Sequence, residues 1–242
     1  MFRQPELFVP AQRYAILVNN YDAPETRSIN AKGLGRVLEL EAMLQGEFSP
    51  GSHIGEAEQR AFALQWEDEL DVHEERSIDY SLVQRILPWD DIPAELQAVT
   101  TRIAAEATKE SLTFLYVTSP GKPGSLRFHS GSPSSNNGLS YGQLLSYLRE
   151  IPGKKAIILA ADYSGSLIDV VKREAHSKDY AVITSTSARQ EARTGNDSDF
   201  DRAVTIMIGG ARKLSALNVI PSPERQSKRQ HAQRWLPFDV IL

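Results

Sequence analysis

The residues of this chain that could do chemistry are hydroxyls and a carboxylate that follow buried strands. Ser119 follows one nearly continuous apolar run, and Asp162 and Ser164 follow another. Either type of side chain can attack a carbonyl if a histidine or lysine within hydrogen-bond reach moves the proton. His129 is the histidine near Ser119 in sequence, so a Ser–His pair is one hypothesis, and ordinary solvated loop residues are the other.

The absence of cysteine sets the first limit on function. With no cysteine in 242 residues, disulfides, thiolate metal sites and thiol nucleophiles are excluded. The five histidines show no metal-ligand spacing. Gly121 and Lys122 suggest a phosphate loop, but Pro123 stands where that motif requires Ser or Thr. The sequence therefore predicts no metal and no other cofactor.

The elements that must position these residues alternate between strands and helices. Apolar runs predict strands buried on both faces at 14–18, 112–117, 155–161 and 180–185. Apolar periodicity and capping signals predict helices at 30–45, 93–109, 140–150, 166–175 and 200–214. This alternation predicts a three-layer α/β/α sandwich around a mostly parallel sheet. Residues 1–242 are expected to form one domain, with a core at 12–215 and a C-terminal tail or edge strand at 216–242.

The predicted topology also indicates where a site should lie. In an open parallel sheet the ligand crevice lies beyond the carboxyl ends of the strands. Residues 19–30, 118–125 and 161–166 fall there, and composition predicts that 118–125 is a loop. The candidate residues Ser119, Asp162 and Ser164 all belong to these segments, so we expect them near one crevice.

Three segments in this arrangement resemble a known peptidase family. Residues 116–126, YVTSPGKPGSL, resemble the catalytic-histidine loop of legumain-type peptidases, which reads aromatic-x-T-[GD]-H-G-G-x-G-x-L. Residues 158–167, ILAADYSGSL, resemble the nucleophile strand, [DE]-[AT]-C-x-S-G-S. Residues 180–191 resemble the strand that builds one wall of the specificity pocket. Their order and spacing agree with the family over residues 12–215, and the resemblance implies the fold of the caspase-like (clan CD) cysteine peptidases.

The same alignment places other residues where the catalytic pair would stand. The family's histidine falls on Pro120 and its cysteine on Asp162. Proline cannot accept a proton, and a carboxylate is a poor nucleophile toward an amide. Asp162 could instead cap the helix that follows it, where the helix dipole favours a negative charge. Loss of both partners is what a catalytically inactive member of the family would show.

The resemblance also implies residues of a binding pocket. Arg27 resembles a family arginine that receives an acidic or amide side chain, and its alternative is a surface arginine in a polar loop. Ser185 and Ser187 would line the same pocket, or simply end a strand. Gly121 completes the set beside the replaced histidine, together with Ser119, Asp162 and Ser164.

Charge and hydropathy limit the classes of partner. The net charge is −4, too small to indicate binding to nucleic acid. No apolar run approaches the roughly 20 residues of a membrane span. Residues 1–6 lack a basic segment followed by an apolar one, so we expect no signal peptide and a cytoplasmic location.

The sequence therefore favours an inactive legumain-like or caspase-like domain that binds a protein or peptide partner. One alternative is a hydrolase of the same fold that uses Asp162, Ser119 or Ser164 in place of the cysteine. Another is a structural subunit whose partner surface is the tail at 221–242. Because caspases pair through an edge strand at the end of the chain, the resemblance also implies a homodimer through the last eight residues.

Overall fold

The computed structural model describes residues 5–19, 81–86, 92–127, 138–191, 200, 204, 213–216 and 232–240. Its strands are β1 (Glu6–Leu7), β2 (Gln12–Asn19), β3 (Ser81–Ile86), β4 (Ser111–Ser119), β5 (Gly121–Lys122), β6 (Ser125–Arg127), β7 (Gly138–Ser140), β8 (Lys154–Ala161), β9 (Tyr180–Thr184), β10 (Gln233–Trp235) and β11 (Phe238–Asp239). Its helices are α1 (Ile92–Glu106), α2 (Tyr141–Arg149) and α3 (Ser166–Val171), and short 3₁₀ turns span Ser177–Asp179 and Leu214–Ala216.

The central sheet has six strands in the order β10-β9-β8-β4-β2-β3. All neighbours pair in parallel except β10, which runs antiparallel to β9 at one edge. The register pairs Asn19 with Thr118 and Ser119 with Ala161, so β2, β4 and β8 end together. This topology confirms the predicted fold class and brings the segments after β4 and β8 to one edge.

Side-chain alternation along the strands builds a core on each face of the sheet. Ile16 and Leu115 face one layer, whereas Leu17 and Phe114 face the other. Helices α1, α2 and α3 all pack on the first face. The second face is covered by the buried apolar residues Phe200, Val204, Leu214, Phe238 and Val240. The two covered faces explain why the strands of the sequence read as apolar runs without polar alternation.

Two smaller sheets complete the described fold. Strands β5, β6 and β7 form an antiparallel sheet that follows β4 directly. Strand β1 pairs in parallel with β11, and this joins the two ends of the described chain. No helix in the described part of the chain is long and apolar enough to cross a membrane.

Several local predictions are confirmed. Ser140 caps α2: its hydroxyl accepts a hydrogen bond from the Gln143 N–H at 3.2 Å, and the Gln143 amide oxygen accepts one from the Ser140 N–H at 3.2 Å. Helix α1 begins at Ile92, which places Pro93 in its first turn. Of the C-terminal segment 235–242, predicted as an edge strand or docking segment, Trp235 ends the edge strand β10, and Phe238 and Asp239 form β11, which pairs with β1.

Other local predictions differ from the structure. The loop predicted at 118–125 is mostly strand. Residues 118 and 119 belong to β4, and 121–127 form a hairpin, because β5 and β6 pair and so satisfy the backbone hydrogen bonds of this Gly- and Pro-rich segment. Helix α3 ends at Val171 instead of 175. Strand β3 was not predicted, and the predicted helix at 30–45 lies outside the described residues.

Candidate functional site

Pro120 and Asp162, which the sequence resemblance predicts at the family's histidine and cysteine positions, follow neighbouring strands of the sheet. Pro120 follows the last residue of β4, and Asp162 follows the last residue of β8, and those last residues are paired in the sheet. Gly121 packs on the backbone of Asp162 so closely that a Cβ at position 121 would lie 2.2 Å from the Asp162 carbonyl oxygen. The predicted proximity of the segments at 118–125 and 161–166 is thus observed in the structure. Asp162 is partly exposed at this edge.

Ser119 lies beneath these positions and is fully buried. Its hydroxyl lies 2.9 Å from the Pro120 carbonyl oxygen and 3.2 Å from that of Arg127. The Arg127 N–H in turn donates to the Pro120 carbonyl at 2.9 Å. Ser119 therefore holds the base of the β5–β6 hairpin, and its oxygen does not face solvent.

Ser164 and Ser185 belong to a buried network of hydroxyls. The Ser164 hydroxyl lies 2.9 Å from that of Thr186 and 3.5 Å from that of Ser185. The Thr186 hydroxyl donates to the Ala161 carbonyl at 3.0 Å, and the Ala161 N–H donates to the Ser185 hydroxyl at 3.2 Å. These side chains satisfy the backbone of β8 beyond the point where β9 stops pairing with it. Thr186 was not singled out from the sequence, although the run of hydroxyl residues at 184–187 is a signal that could have identified it.

Tyr163 is a residue of the site that sequence reasoning missed. Its φ is 54°, in the left-handed region that non-glycine residues rarely occupy. The Tyr163 N–H donates to the Gln190 carbonyl at 2.8 Å, and its phenol donates to Glu191 Oε1 at 3.2 Å. Two contacts with the segment after β9 thus hold the strained residue that follows Asp162. The sequence carries no local signal for contacts between residues this far apart.

Charged side chains around the Tyr163 phenol change its pKa. The Glu191 carboxylate, followed by partial burial and the Asp162 carboxylate, raises the pKa of Tyr163, and Arg127 lowers it. Two carboxylates and one guanidinium therefore lie within electrostatic range of this ring. Such a surface would attract a cationic or hydrogen-bond-donating group more readily than a second anion.

The start of α3 is fixed by Ser166 and by the hairpin. The Ser166 hydroxyl donates to the Tyr163 carbonyl at 2.8 Å and accepts from the Gly124 N–H at 3.0 Å. The N-cap residue of α3 is Gly165, which makes no side-chain capping bond. The N-cap of α3 thus lies three residues after Asp162, and capping by the Asp162 carboxylate stays a prediction.

The remaining candidates are dispersed or lie outside the described residues. Ser187 is partly exposed and its hydroxyl accepts a bond from the Arg189 N–H at 3.4 Å. Arg27 and His129 lie outside the described residues. Within the described ranges, His176 is the only histidine, and it precedes the amino end of β9, at the opposite edge of the sheet from Asp162. No group of three or more metal-ligating side chains occurs in that part of the chain.

Comparison with known proteins identifies the fold. No family model matches the sequence, and no curated protein matches it. The crystal structure of caspase-1 from Spodoptera frugiperda superimposes with a TM-score of 0.59 at 12% identity, covering 100% of this chain and 96% of that chain. The chain therefore has the caspase-like fold. At 12% identity, the likeness shows the fold alone.

Proposed function

We propose that this chain is a catalytically inactive caspase-like or legumain-like domain that binds a protein or peptide partner. One observation supports the proposal: Pro120 and Asp162, to which the resemblance assigns the family's base and nucleophile positions, follow the paired ends of β4 and β8. A thiol peptidase needs a thiolate and a group that exchanges protons with it. Neither residue supplies a thiolate, and proline cannot exchange a proton.

The architecture around these positions supports binding. A crevice at the carboxyl ends of parallel strands is where this class of fold takes ligands. Hydrogen bonds join the hairpin, the 162–165 turn and the segment at 185–191 into one frame. A frame that is already ordered loses little conformational entropy when a ligand binds, so it favours affinity without any chemistry.

The rival hydrolase must rely on Asp162. Ser119 and Ser164 have fully buried side chains that are engaged with neighbouring carbonyls and hydroxyls, which argues against their use as nucleophiles. Asp162 is partly exposed, and this favours it as the residue of the alternative activity. A hydrolytic carboxylate would still need a proton-transfer partner, for which Lys122 in the adjoining hairpin is the candidate amine.

The proposal also covers the location, the class of partner and the oligomeric state of the domain. We place the domain in the cytoplasm, with a protein rather than nucleic acid as its partner, and with a homodimer through the C-terminal segment. Pocket positions Arg27, Ser185 and Ser187 belong to this proposal, with Ser185 acting through the buried network rather than by direct contact.

Charge reversal at the crevice tests the proposal. Asp162→Lys should abolish capture of a partner that the wild-type chain retains, whereas Glu110→Lys, an exposed change at the opposite edge of the sheet, should not. Neither the wild type nor Asp162→Ala should hydrolyse a panel of peptides and esters. Hydrolysis by the wild type that disappears in Asp162→Ala would instead establish the hydrolase. Retention of the partner by Asp162→Lys, with loss only after changes at 232–240, would favour the structural subunit.

A further inference from the structure

A row of polar side chains crosses the central sheet near its amino edge. Thr113 of β4 pairs with Tyr14 of β2 on one side and with Lys155 of β8 on the other, and Tyr180 of β9 pairs with Lys155. Because side chains alternate between the two faces along each strand, residues paired in register project to the same face. That face is the one that α1, α2 and α3 cover, and none of the four residues is more than 5% exposed. The fold therefore encloses one ammonium and three hydroxyls in one layer of its core.

Lys155 carries a buried positive charge with little to stabilise it. Its ammonium donates to the Gly153 carbonyl at 3.0 Å and lies 5.5 Å from the centre of the Tyr180 ring. An ammonium has three N–H donors, and the Gly153 carbonyl is the one hydrogen-bond acceptor that the described residues provide for it. A buried ion is costly unless its charge is paired and its donors are bonded. An anion bound at Lys155 would supply both.

The acidic side chains nearby are paired with other cations. Asp179 Oδ1 lies 2.7 Å from the Lys154 ammonium, and Glu174 Oε2 lies 2.7 Å from the Arg149 guanidinium. Burial lowers the pKa of Lys155, and Asp179 opposes this effect while Lys154 adds to it. Among the described residues no carboxylate forms an ion pair with Lys155, so its charge lacks a partner of its own.

Thr113 gives a second, independent indication of a ligand. Its side chain is fully buried, and in the described part of the chain its hydroxyl has no hydrogen-bond partner. Buried polar atoms are normally satisfied, and an exception of this kind is explained by a bound group. Thr113 and Lys155 belong to neighbouring strands, which lie about 4.8 Å apart. A ligand with two acceptor atoms can therefore contact both side chains.

The two phenols at the ends of the row add no negative charge. Burial, followed by the Glu174 carboxylate, raises the pKa of Tyr180 to about 12. Burial, followed by the Glu106 carboxylate, raises the pKa of Tyr14. Both phenols thus keep their protons at neutral pH, and the row carries the single positive charge of Lys155.

We propose that Lys155 and Thr113 bind a small carboxylate such as acetate. One carboxylate oxygen accepts a hydrogen bond from the Lys155 ammonium, and the other accepts one from the Thr113 hydroxyl. A single negative charge matches the ammonium, whereas a phosphate dianion would bury a charge that nothing offsets. The low exposure of the row restricts the ligand to a few heavy atoms. The site lies at the edge of the sheet opposite to Asp162, so it does not depend on the function proposed for the crevice.

Thermal unfolding in sodium acetate tests the site. At pH 7, about 100 mM acetate should raise the Tm of the wild type by about 2–4 °C relative to sodium chloride of equal ionic strength. Lys155→Met replaces the ammonium with an apolar side chain of similar length and should abolish this shift. Lys154→Met changes the partly exposed neighbour and should retain it. A shift of equal size in Lys155→Met, or no shift relative to chloride in the wild type, would overturn the proposal.

Thr113→Val separates a binding role from a structural one. Valine keeps the shape of threonine and removes a hydroxyl that has no partner in the protein, so the Tm in chloride should not fall. The Kd for acetate, measured from broadening of the acetate methyl resonance by NMR, should rise about fivefold. A lower Tm in chloride together with an unchanged Kd would contradict the proposal, and this comparison stands even if Lys155→Met does not fold.

The affinity for acetate should also fall as Lys155 loses its proton. Burial lowers the pKa of Lys155 to about 8, so the Kd for acetate should be about tenfold higher at pH 9 than at pH 7. Carboxylates and guanidinium groups do not titrate between these values. The other charged groups around the row are Glu106, Glu174, Asp179, Arg149 and Lys154. The tenfold change should therefore persist in Lys154→Met, and a Kd that is the same at both pH values would rule out Lys155 as the group that binds acetate.

Discussion

Lys155 lies in a row of polar side chains at the amino end of the sheet. Pairing places Tyr14 beside Thr113, Thr113 beside Lys155, and Lys155 beside Tyr180. Lys155 is 5% exposed, its ammonium donates to the Gly153 carbonyl at 3.0 Å, and it lies 5.5 Å from the centre of the Tyr180 ring. Burial lowers the pKa of Lys155 to about 8, despite the opposing effect of Asp179. The folded protein therefore binds this proton less firmly than the unfolded chain does.

This difference predicts stability that rises with pH. Above pH 8 the folded state loses the Lys155 proton while the unfolded chain keeps it, so the free energy of unfolding should increase by about 2 kcal/mol between pH 8 and 9.5. Burial raises the pKa of Tyr180 from its ordinary value near 10 to about 12, so its opposing effect begins near pH 10, where the unfolded chain starts to release this proton. Urea unfolding should show that Lys155→Met removes the increase and Lys154→Met retains it. An equal increase in both variants would refute the assignment.

Gly121 is a position where an added Cβ atom would affect stability. A Cβ there would lie 2.2 Å from the Asp162 carbonyl oxygen, so the two segments at the site would have to separate. We expect Gly121→Ala to lower the free energy of unfolding by about 1–3 kcal/mol in urea. Gly142 in α2 is the matched control, because its nearest neighbour would be 3.9 Å away. Gly142→Ala should stabilise the protein by up to about 1 kcal/mol, and a loss of equal size in both would exclude the steric explanation.

At the scale of elements, the start of α2 is specified locally. The reciprocal bonds between Ser140 and Gln143 satisfy two N–H groups at the helix start. Ser140→Ala should cost about 1 kcal/mol of unfolding free energy in a urea titration. Ser146→Ala, which removes a bond to the Gln143 carbonyl inside the same helix, should change it by less than about 0.5 kcal/mol. Equal losses in the two variants would contradict the capping role.

Elements that depend on local pattern could be predicted from the sequence, and those that depend on distant contacts could not. Apolar runs identified β2, β4, β8 and β9 because both faces of the sheet are covered. The end of α3 was placed too late because its last turn tightens: the Arg173 and Glu174 N–H groups bond to Val170 and Val171, three residues back. This local change carries no glycine or proline signal.

The same distinction applies to the site. The adjacency of Pro120 and Asp162 followed from parallel strands that end together. The burial of Ser164 could not be predicted, because it depends on hydroxyls that follow another strand, above all that of Thr186. The left-handed conformation of Tyr163 likewise depends on Gln190 and Glu191, which sequence alone does not bring near it.

At the scale of the whole molecule, the fold brings position 120 and position 162 to the same edge of the sheet, and their geometry can be tested directly. The chain contains no cysteine, so a single introduced thiol can be followed without interference. Asp162 is partly exposed and lies beside the segment that begins at Pro120, so a cysteine at 162 should be accessible and a histidine at 120 close to it. A neighbouring imidazolium favours the thiolate and lowers the thiol pKa.

We therefore expect Asp162→Cys combined with Pro120→His to be alkylated by iodoacetamide at pH 6.5 about tenfold faster than Asp162→Cys combined with Pro120→Ala. A fall of one unit in the thiol pKa raises the thiolate fraction about tenfold at that pH. Mass spectrometry of timed samples measures both rates. Because both variants lose the proline, the comparison isolates the imidazole. Equal rates would mean that position 120 does not direct a side chain toward position 162.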